Sequence, residues 1–347
     1  NIEGYSSIRF MRIFMKGFKS DIVIRFATLD LVRGEWRTYT QAIQAPGEYM
    51  PGDQTNHTLF EQSAVNLEEN GGRQPIPYVI PPGIYQEVYT STTSTVRQNE
   101  QALQLSVENL VDGDARAVYK STSFDFRYYK KLNMFIHAEK MYEYDDMETG
   151  DLTVFLRFGS DLTDNYYEYE VPLKFTDWYT SPSNDVAIWP EENTIEIDFE
   201  ELIEVKTNRN KSLGKNNVQS NRVYTEYDGR NKVKVLGNPT ISEVRSMMIG
   251  VRNPKKDGEV GTDKSAIIWI NELRLTDLNN SGGWAATGRI EATLADLGRV
   301  TAAGSYNSAG YGSLETKATE AKMESNSFYS ISTDIDLGKF MKPEKTG

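Results

Sequence analysis

The two histidines are the first residues to consider for catalysis or metal binding, because few other side chains titrate near neutral pH. They are His57 and His137, far apart in the chain, and the sequence contains no cysteine. A Ser-His-Asp triad therefore has very few candidates, disulfides and thiolate sites are excluded, and a zinc site would need carboxylates to complete it. His137 lies in the apolar run Met134–Ala138, which predicts a histidine of the core or of a sheet edge with satisfied hydrogen bonds.

Acidic side chains are too frequent for any pair of them to indicate a site. The chain has 50 aspartates and glutamates, so two carboxylates placed for glycoside hydrolysis arise by chance. Asp112-Gly113-Asp114 and Asp145-Asp146 could bind calcium, but neither matches the twelve-residue calcium loop, and we interpret both as turns. The sequence also has no phosphate-binding loop, nucleophile elbow or His-Glu-x-x-His. We therefore predict no catalytic, cofactor-binding or metal-binding residues, and a protein that is not an enzyme.

A set of aromatic residues has two interpretations. Exposed rings could stack on the faces of sugars, as in jelly-roll lectins, which requires two or three coplanar rings on one face. Alternatively the rings pack inside a sandwich or cover a partner domain, as amphipathic aromatic side chains commonly do. The set consists of Tyr166, Tyr167, Tyr169, Trp178, Tyr179 and Trp189.

The charge and the apolar pattern exclude several classes of partner. The formal net charge is -12, which argues against nucleic acid, whose binding needs clustered lysine and arginine, and against an anionic cytoplasmic membrane surface. We find no signal-peptide pattern and no run of about 18 apolar residues that could form a transmembrane helix. A membrane role would then have to use β-strands that close into a barrel.

The elements that would position these residues are mostly short strands. They recur every 8–12 residues between Gly, Pro and Asn clusters, which is typical of a β-sandwich. We predict that residues 57–280 form a jelly-roll-like antiparallel sandwich, preceded by a linker at 40–56. Within it, Leu152–Phe158 and Tyr166–Leu173 predict a hairpin. Glu200–Glu204 is expected to form one helical turn, and Lys206–Asn221 a mobile loop.

A repeat indicates that the chain begins inside a domain. Ile8–Lys16 aligns without gaps on Val244–Arg252. After each segment comes a turn and a second strand, Val23–Leu31 in one copy and Ile267–Leu275 in the other. Two copies of a hairpin near a domain end predict two domains of one type, so residues 1–39 would be the C-terminal remnant of a preceding sandwich. The alternative is chance similarity between two hairpins.

The last part of the sequence alternates differently. Small and apolar residues occupy every second position from Trp284 to Leu294, again from Val300 to Tyr306, and in a third strand within Tyr329–Phe340. Segments of about ten alternating residues with a polar second face are typical of outer-membrane barrel strands. We therefore predict that residues 281–347 are transmembrane β-barrel strands, with further sandwich strands as the alternative.

Several longer motifs occur in order along the chain. They are Ile8–Arg12, Leu29–Arg37, Asn70–Tyr78, Gly113–Lys120, Asp164–Tyr169, Trp189–Asn193, Asn271–Asp277 and Gly282–Ala286. Together they resemble the SprA/Sov family, the outer-membrane translocon proteins of the type IX secretion system of Bacteroidetes. The resemblance extends over nearly the whole chain.

The resemblance implies a very large outer-membrane β-barrel through which folded cargo with a C-terminal signal leaves the periplasm. It implies a plug subunit, a PorV-like shuttle protein, secreted cargo and outer-membrane lipid as partners, gliding motility in some species, and no cofactor. The sandwich would be an insertion between barrel strands, and we expect it on the extracellular side. Because 347 residues are too few for such a barrel, the chain would be a segment of it. Two alternatives remain, a secreted carbohydrate-binding module and a sandwich-type glycoside hydrolase.

Overall fold

The computed structural model describes residues 20, 23, 35–44, 57–86, 88–90, 95–97, 99–213, 222–255, 258, 261–312 and 322–340. The chain divides into two units, Asn1–Glu35 and Trp36–Gly347, and the second unit is the one described below. The repeat copy at Ile8–Lys16, its second strand Val23–Leu31 apart from Val23, most of the predicted remnant at 1–39 and most of the linker lie outside the described residues.

Strands dominate the second unit, as predicted. In chain order they are β1 (Arg37–Thr38), β2 (Leu59–Asn66), β3 (Val88–Thr90), β4 (Thr95–Arg97), β5 (Gln101–Leu110), β6 (Ala115–Phe124), β7 (Tyr129–Lys140), β8 (Thr153–Gly159), β9 (Tyr166–Pro172), β10 (Ile195–Asp198), β11 (Tyr224–Asp228), β12 (Asn231–Leu236), β13 (Val244–Arg252), β14 (Lys264–Leu278), β15 (Ala285–Thr293), β16 (Gly298–Asn307) and β17 (Asn326–Ile335). The helices are α1 (Leu67–Asn70), α2 (Asp185–Ile188) and α3 (Phe199–Leu213), with 3-10 turns at Phe126–Tyr128, Glu191–Asn193, Ala295–Leu297 and Leu337–Phe340. None of the helices in the described part of the chain is both long enough and apolar enough to cross a membrane.

Two antiparallel sheets form the sandwich. One has the strand order β1-β6-β13-β8-β9-β12-β11, and the other has the order β10-β7-β14-β5-β2. Every pairing between these strands is antiparallel, which confirms the predicted all-β, antiparallel class. The predicted hairpin is also confirmed, because β8 pairs with β9 from Thr153 opposite Pro172 to Gly159 opposite Tyr166.

The main core lies between the two sheets. Alternate side chains of each strand point into it, for example Val154, Leu156 and Phe158 of β8 and Ile268 and Ile270 of β14. Burying one such side chain contributes roughly 1.5–3 kcal/mol, so this layer is the main source of stability for the sandwich.

The outer faces of both sheets are covered as well. On the five-stranded sheet, Trp269 is buried under Tyr78 and Trp189, with ring centroids 5.5 and 6.2 Å away. On the seven-stranded sheet, Ile43 packs against Phe155 and neighbouring side chains. Strands that are buried on both faces have continuous rather than alternating apolar residues, which explains runs such as Ile267–Ile270.

Helix α3 corrects the sequence prediction for this region. We expected one helical turn at Glu200–Glu204 followed by a loop from Lys206, but the helix continues to Leu213; residues 214–221 lie outside the described part. Its buried positions follow helical spacing: Phe199, Leu202, Val205 and Arg209. The local pattern does not reveal the helix because one of these four positions carries a charge and Ile203, an apolar residue, is exposed.

The strands near the end of the sandwich also differ from the prediction. Val244–Arg252 and Ile267–Leu275 were expected to form a hairpin, but β13 belongs to the seven-stranded sheet and β14 to the five-stranded sheet. The connection, residues 253–263, is long enough to span the roughly 10 Å between packed sheets. Apolar runs alone cannot distinguish strands that pair from strands that face each other across a core.

Candidate functional site

The last three strands form a sheet of their own, with the order β15-β16-β17. The register places Gly288 opposite Gly304 and Ile290 opposite Ala302, and Ala302 in turn opposite Ile331. Since side chains alternate between the faces of a strand, this register puts most of the small and apolar residues of the three strands on one face. That face, the apolar face below, consists of Ala286, Gly288, Ile290, Ala292, Val300, Ala302, Gly304, Tyr306, Tyr329, Ile331, Thr333 and Ile335.

The large side chains of the apolar face are exposed. Ile290 is 73% exposed, and Tyr329 and Ile331 are each 78% exposed. Single exposed apolar residues are normal on soluble proteins, but a contiguous patch of them marks a surface that meets a partner or a membrane. The predicted alternation is confirmed within the three strands, but the third strand, predicted as Tyr329–Phe340, is Asn326–Ile335, and Leu337–Phe340 form a 3-10 turn. Within the described residues neither face of the sheet is packed into the sandwich core.

The opposite face of this sheet is mostly polar. It carries hydroxyl and charged side chains, including Thr287, Thr301 and Ser332, but Phe328, which is 61% exposed, also lies on it. Glu291 lies between two arginines, 3.1 Å from Arg299 and 3.5 Å from Arg289. Exposed ion pairs of this kind contribute little stability, so the polar face is suited to contact with water rather than to packing.

A defined joint connects this sheet to the sandwich. Arg127 forms an ion pair with Asp125 and donates hydrogen bonds to the carbonyl of Met323 at 3.0 Å and to Glu324 at 3.1 Å. The backbone N–H of Asn279 donates to the carbonyl of Tyr128 at 2.7 Å.

The joint also depends on a close backbone crossing. A Cβ added at Gly283 would lie 2.1 Å from the backbone nitrogen of Tyr311, and one added at Gly310 would lie 2.2 Å from the carbonyl of Ser281. Two glycines therefore let the connecting segment pass directly against the loop after β16. The three-stranded sheet is thus tied to the sandwich through the connecting segment and through Arg127.

The two histidines occupy structural positions. His137 is buried, its Nδ1 lies 2.7 Å from the carbonyl oxygen of Ile188, and its ring stacks on Trp269 at 4.0 Å. The prediction of a core histidine is confirmed for its burial, but Nε2 has no hydrogen-bond partner in the part of the chain that the structure describes, so the expected satisfaction of both ring nitrogens is not found there. His57 lies at the surface with Nε2 2.8 Å from Asp263.

One buried carboxylate beside His137 was not singled out from the sequence. Glu139 forms an ion pair with Arg73, and its other oxygen lies 3.8 Å from Nε2 of His137, too far for a hydrogen bond. Burial would raise the pKa of Glu139, but the interactions with His137 and Arg73 outweigh it and lower the pKa. The carboxylate therefore stays ionised and ties the segment containing Arg73 to the sheet.

A larger group of buried charges lies on the outer face of the seven-stranded sheet. Glu168 accepts hydrogen bonds from Arg157 at 2.8 Å and from Lys234 and Arg252 at 3.0 Å each. Glu170 pairs with Lys234 at 2.8 Å and with Arg252. Burial raises the pKa of both carboxyls, but the charges of Arg252 and Lys234 more than compensate and lower it. Glu alternates with Tyr in β9, and this pattern is visible in the sequence. It does not indicate that the glutamates are buried.

Two of the aspartates considered for calcium have other partners. Asp114 pairs with Arg116 at 2.6 Å, and Asp112 pairs with Lys255. Among the residues with described positions, no group of three or more His, Asp or Glu side chains is placed to hold a metal ion.

The aromatic set does not form a sugar-binding face. Tyr166, Tyr167, Tyr169 and Trp189 are buried, which confirms the packing interpretation. Tyr179 is 65% exposed, but its ring is nearly perpendicular to that of Trp178, at 87°. The coplanar exposed rings required by the lectin hypothesis are not found in this set.

The comparison with known families agrees with the resemblance of the motifs. The family model SprA_N, described as motility related/secretion protein, matches residues 1–347. No curated protein matches the chain. Since the match extends over the full 347 residues, the chain belongs to the SprA_N family of motility-related and secretion proteins.

Proposed function

We propose that this chain is a segment of the outer-membrane translocon of the type IX secretion system, which exports folded cargo proteins bearing a C-terminal signal. Its role is to form part of the structure through which cargo proteins pass, rather than to catalyse a reaction. Membership of a secretion-related family supports a role in the cell envelope. The observation that carries the proposal is the exposed apolar face of the sheet β15-β16-β17.

The dimensions of the apolar face suit a barrel wall. β16 and β17 have ten residues each, which corresponds to about 30 Å along the strand at roughly 3.3 Å per residue. A barrel strand tilted by about 40° would then give a height near 23 Å, close to the roughly 25 Å of the apolar band of outer-membrane barrels. Within the described residues, the outer edges of β15 and β17 have no partner strand, and closure into a barrel is what removes such edges.

The connections favour an extracellular sandwich. β15 and β16 are joined by the short segment 294–297, whereas residues 308–325 join β16 and β17 at the end nearest the sandwich. In outer-membrane barrels the short turns face the periplasm and the longer loops face outward. The sandwich, which we regard as a jelly-roll-like insertion domain, would therefore lie outside the cell.

Each face of the sheet suits one of the expected partners. Lipid would contact the apolar face, and cargo would pass the polar face around Glu291. The plug subunit and the PorV-like shuttle protein remain expectations from the family, and no residue of this chain is assigned to them.

The absence of native cysteine makes the proposal testable by site-specific labelling. Ile331→Cys places a polarity-sensitive fluorophore on the apolar face, and Ser330→Cys places the same fluorophore one residue away on the polar face. With the chain assembled in the complete barrel and the barrel in vesicles of outer-membrane lipid, the label at position 331 should shift to shorter wavelength and be quenched by spin-labelled acyl chains, and the label at position 330 should not. Equal emission and no quenching at either position would contradict the membrane wall.

A further inference from the structure

A polar groove opens on the sandwich beside β5 and β14. Its volume is about 690 Å³, within the range of ligand-binding clefts. A β-bulge in β14 shapes one side: the pairing with β7 shifts between Asn271 and Arg274, and Glu272 adopts a φ of 56°. Bulges are frequent next to binding sites because they redirect side chains. The lining residues are Gly83, Ile84, Tyr85, Asn99, Glu100, Gln101, Asn271, Glu272 and Arg274.

The groove is bordered by side chains that are held in place but retain hydrogen-bonding capacity. Asn271 donates to Glu100 Oε1 at 2.9 Å and to the hydroxyl of Tyr78 at 3.0 Å, which fixes Glu100 and leaves Oε2 as an acceptor. Arg274 uses Nε in its ion pair with Glu272, which leaves its terminal nitrogens as donors. Asn99 accepts a hydrogen bond from the N–H of Glu68 at 3.3 Å and keeps its amide donors.

One aromatic ring lines the same groove and is exposed rather than packed against other side chains. Tyr85 lines it and is 88% exposed. A tyrosine this exposed contributes little to folding, but its ring offers a flat apolar surface beside the hydrogen-bonding groups.

We propose that this groove binds a neutral saccharide. Sugar hydroxyls both donate and accept hydrogen bonds, and the groove presents acceptors at Glu100, donors at Arg274, and both kinds at the amide of Gln101. The Tyr85 ring supplies the apolar face on which the C–H side of a pyranose packs. Two carboxylates against one guanidinium disfavour phosphate and sulfate. This inference does not rest on the translocon role and concerns residues different from the aromatic set considered first.

The test uses the whole chain and neutral tetrasaccharides of glucose, galactose, mannose and N-acetylglucosamine as probes, with binding measured by calorimetry. At least one should bind, and its affinity should change little between low and high salt. Tyr85→Ala and Gln101→Ala should each weaken binding by about tenfold, equivalent to about 1.4 kcal/mol. Tyr227→Ala, at another exposed tyrosine, is the matched control and should leave the affinity unchanged.

Thermal unfolding of each variant distinguishes a local loss of binding from a loss of structure, and Tyr85→Ala should melt as the unmodified chain does because its ring is exposed. The proposal is overturned if no tetrasaccharide binds at millimolar concentration. It is also overturned if Tyr85→Ala and Tyr227→Ala change the affinity for a saccharide by the same amount.

Discussion

Glu168 and Glu170 are carboxylates that the fold removes from water and surrounds with cations. Placing such a group in the interior costs several kcal/mol, which is offset only when partners and hydrogen bonds are well placed. Here Arg157, Lys234 and Arg252 provide them, and Arg252 also lies over the Phe155 ring at 4.6 Å. Removing one member should therefore cost much more than an exposed ion pair does.

The variant Glu168→Gln tests this expectation. It leaves three cations with one carboxylate in a buried site, and we expect the free energy of unfolding to fall by about 3–5 kcal/mol. Glu196→Gln, which removes the exposed pair with Lys131, should lower the free energy of unfolding far less. Urea unfolding of both variants provides the measurement. Similar losses in the two would show that the buried cluster does not stabilise the sandwich.

The same cluster predicts how stability depends on pH. The pKa values of Glu168 and Glu170 are lowered in the folded chain, so below the unfolded-state value of about 4.3 the unfolded chain binds more protons. Their contribution is thus fully present above about pH 5, and it is lost as the pH falls through the folded-state pKa values. Urea midpoints between pH 8 and pH 3 should show this decline. Glu168→Gln should decline less steeply, and an unchanged slope would contradict the assignment.

Among the elements, α3 shows how tertiary packing produces a helix that the local pattern does not reveal. Phe199, Leu202 and Val205 are buried in the core cluster, and Arg209 donates to the carbonyl of Gly237 at 2.5 Å. Docking on the sheets supplies the stability that a sequence with so few apolar positions does not provide alone.

Two substitutions in α3 test whether the beginning of this helix is packed on the sandwich. Leu202→Ala removes a fully buried side chain and should cost about 2–5 kcal/mol. Ile203→Ala, one residue along, removes a side chain that is 47% exposed and should cost less than about 1 kcal/mol. Chemical denaturation gives both values. If the two costs were small and equal, the segment would not be packed on the sandwich.

Sequence patterns predicted where strands lie in the chain better than which strands pair with each other. The alternation in the last three strands gave their faces correctly, because each residue choice there depends only on which side of one sheet it faces. The β8–β9 hairpin was predictable for the same local reason. The pairing partners of β13 and β14 were not predictable. Both strands are apolar on two sides, and their pairing depends on residues far away in the chain. The polar groove was missed because it combines β5, β14 and the segment at Tyr85, which only the fold brings together.

For the whole molecule, the joint at Arg127 decides whether the sandwich and the three-stranded sheet act as one body. The covalent connection passes through Gly282 and Gly283, which alone would permit rotation. Arg127 adds a second attachment through Met323 and Glu324, on the loop before β17. On the proposed function, this second attachment would hold the sandwich at a fixed angle to the barrel wall.

The variant Arg127→Ala should therefore release the sandwich without unfolding it. Spin labels at Thr225→Cys in the sandwich and Ser330→Cys in β17 report the distance between the two parts, and no native cysteine interferes. We expect one narrow distance distribution in the otherwise unmodified chain and a broad one in the variant. Lys174→Ala, which removes an exposed ion pair with Glu192, should keep the distribution narrow. Identical distributions in all three would mean that the glycine-lined backbone crossing alone fixes the angle, so that the sandwich cannot swing relative to the wall through loss of Arg127.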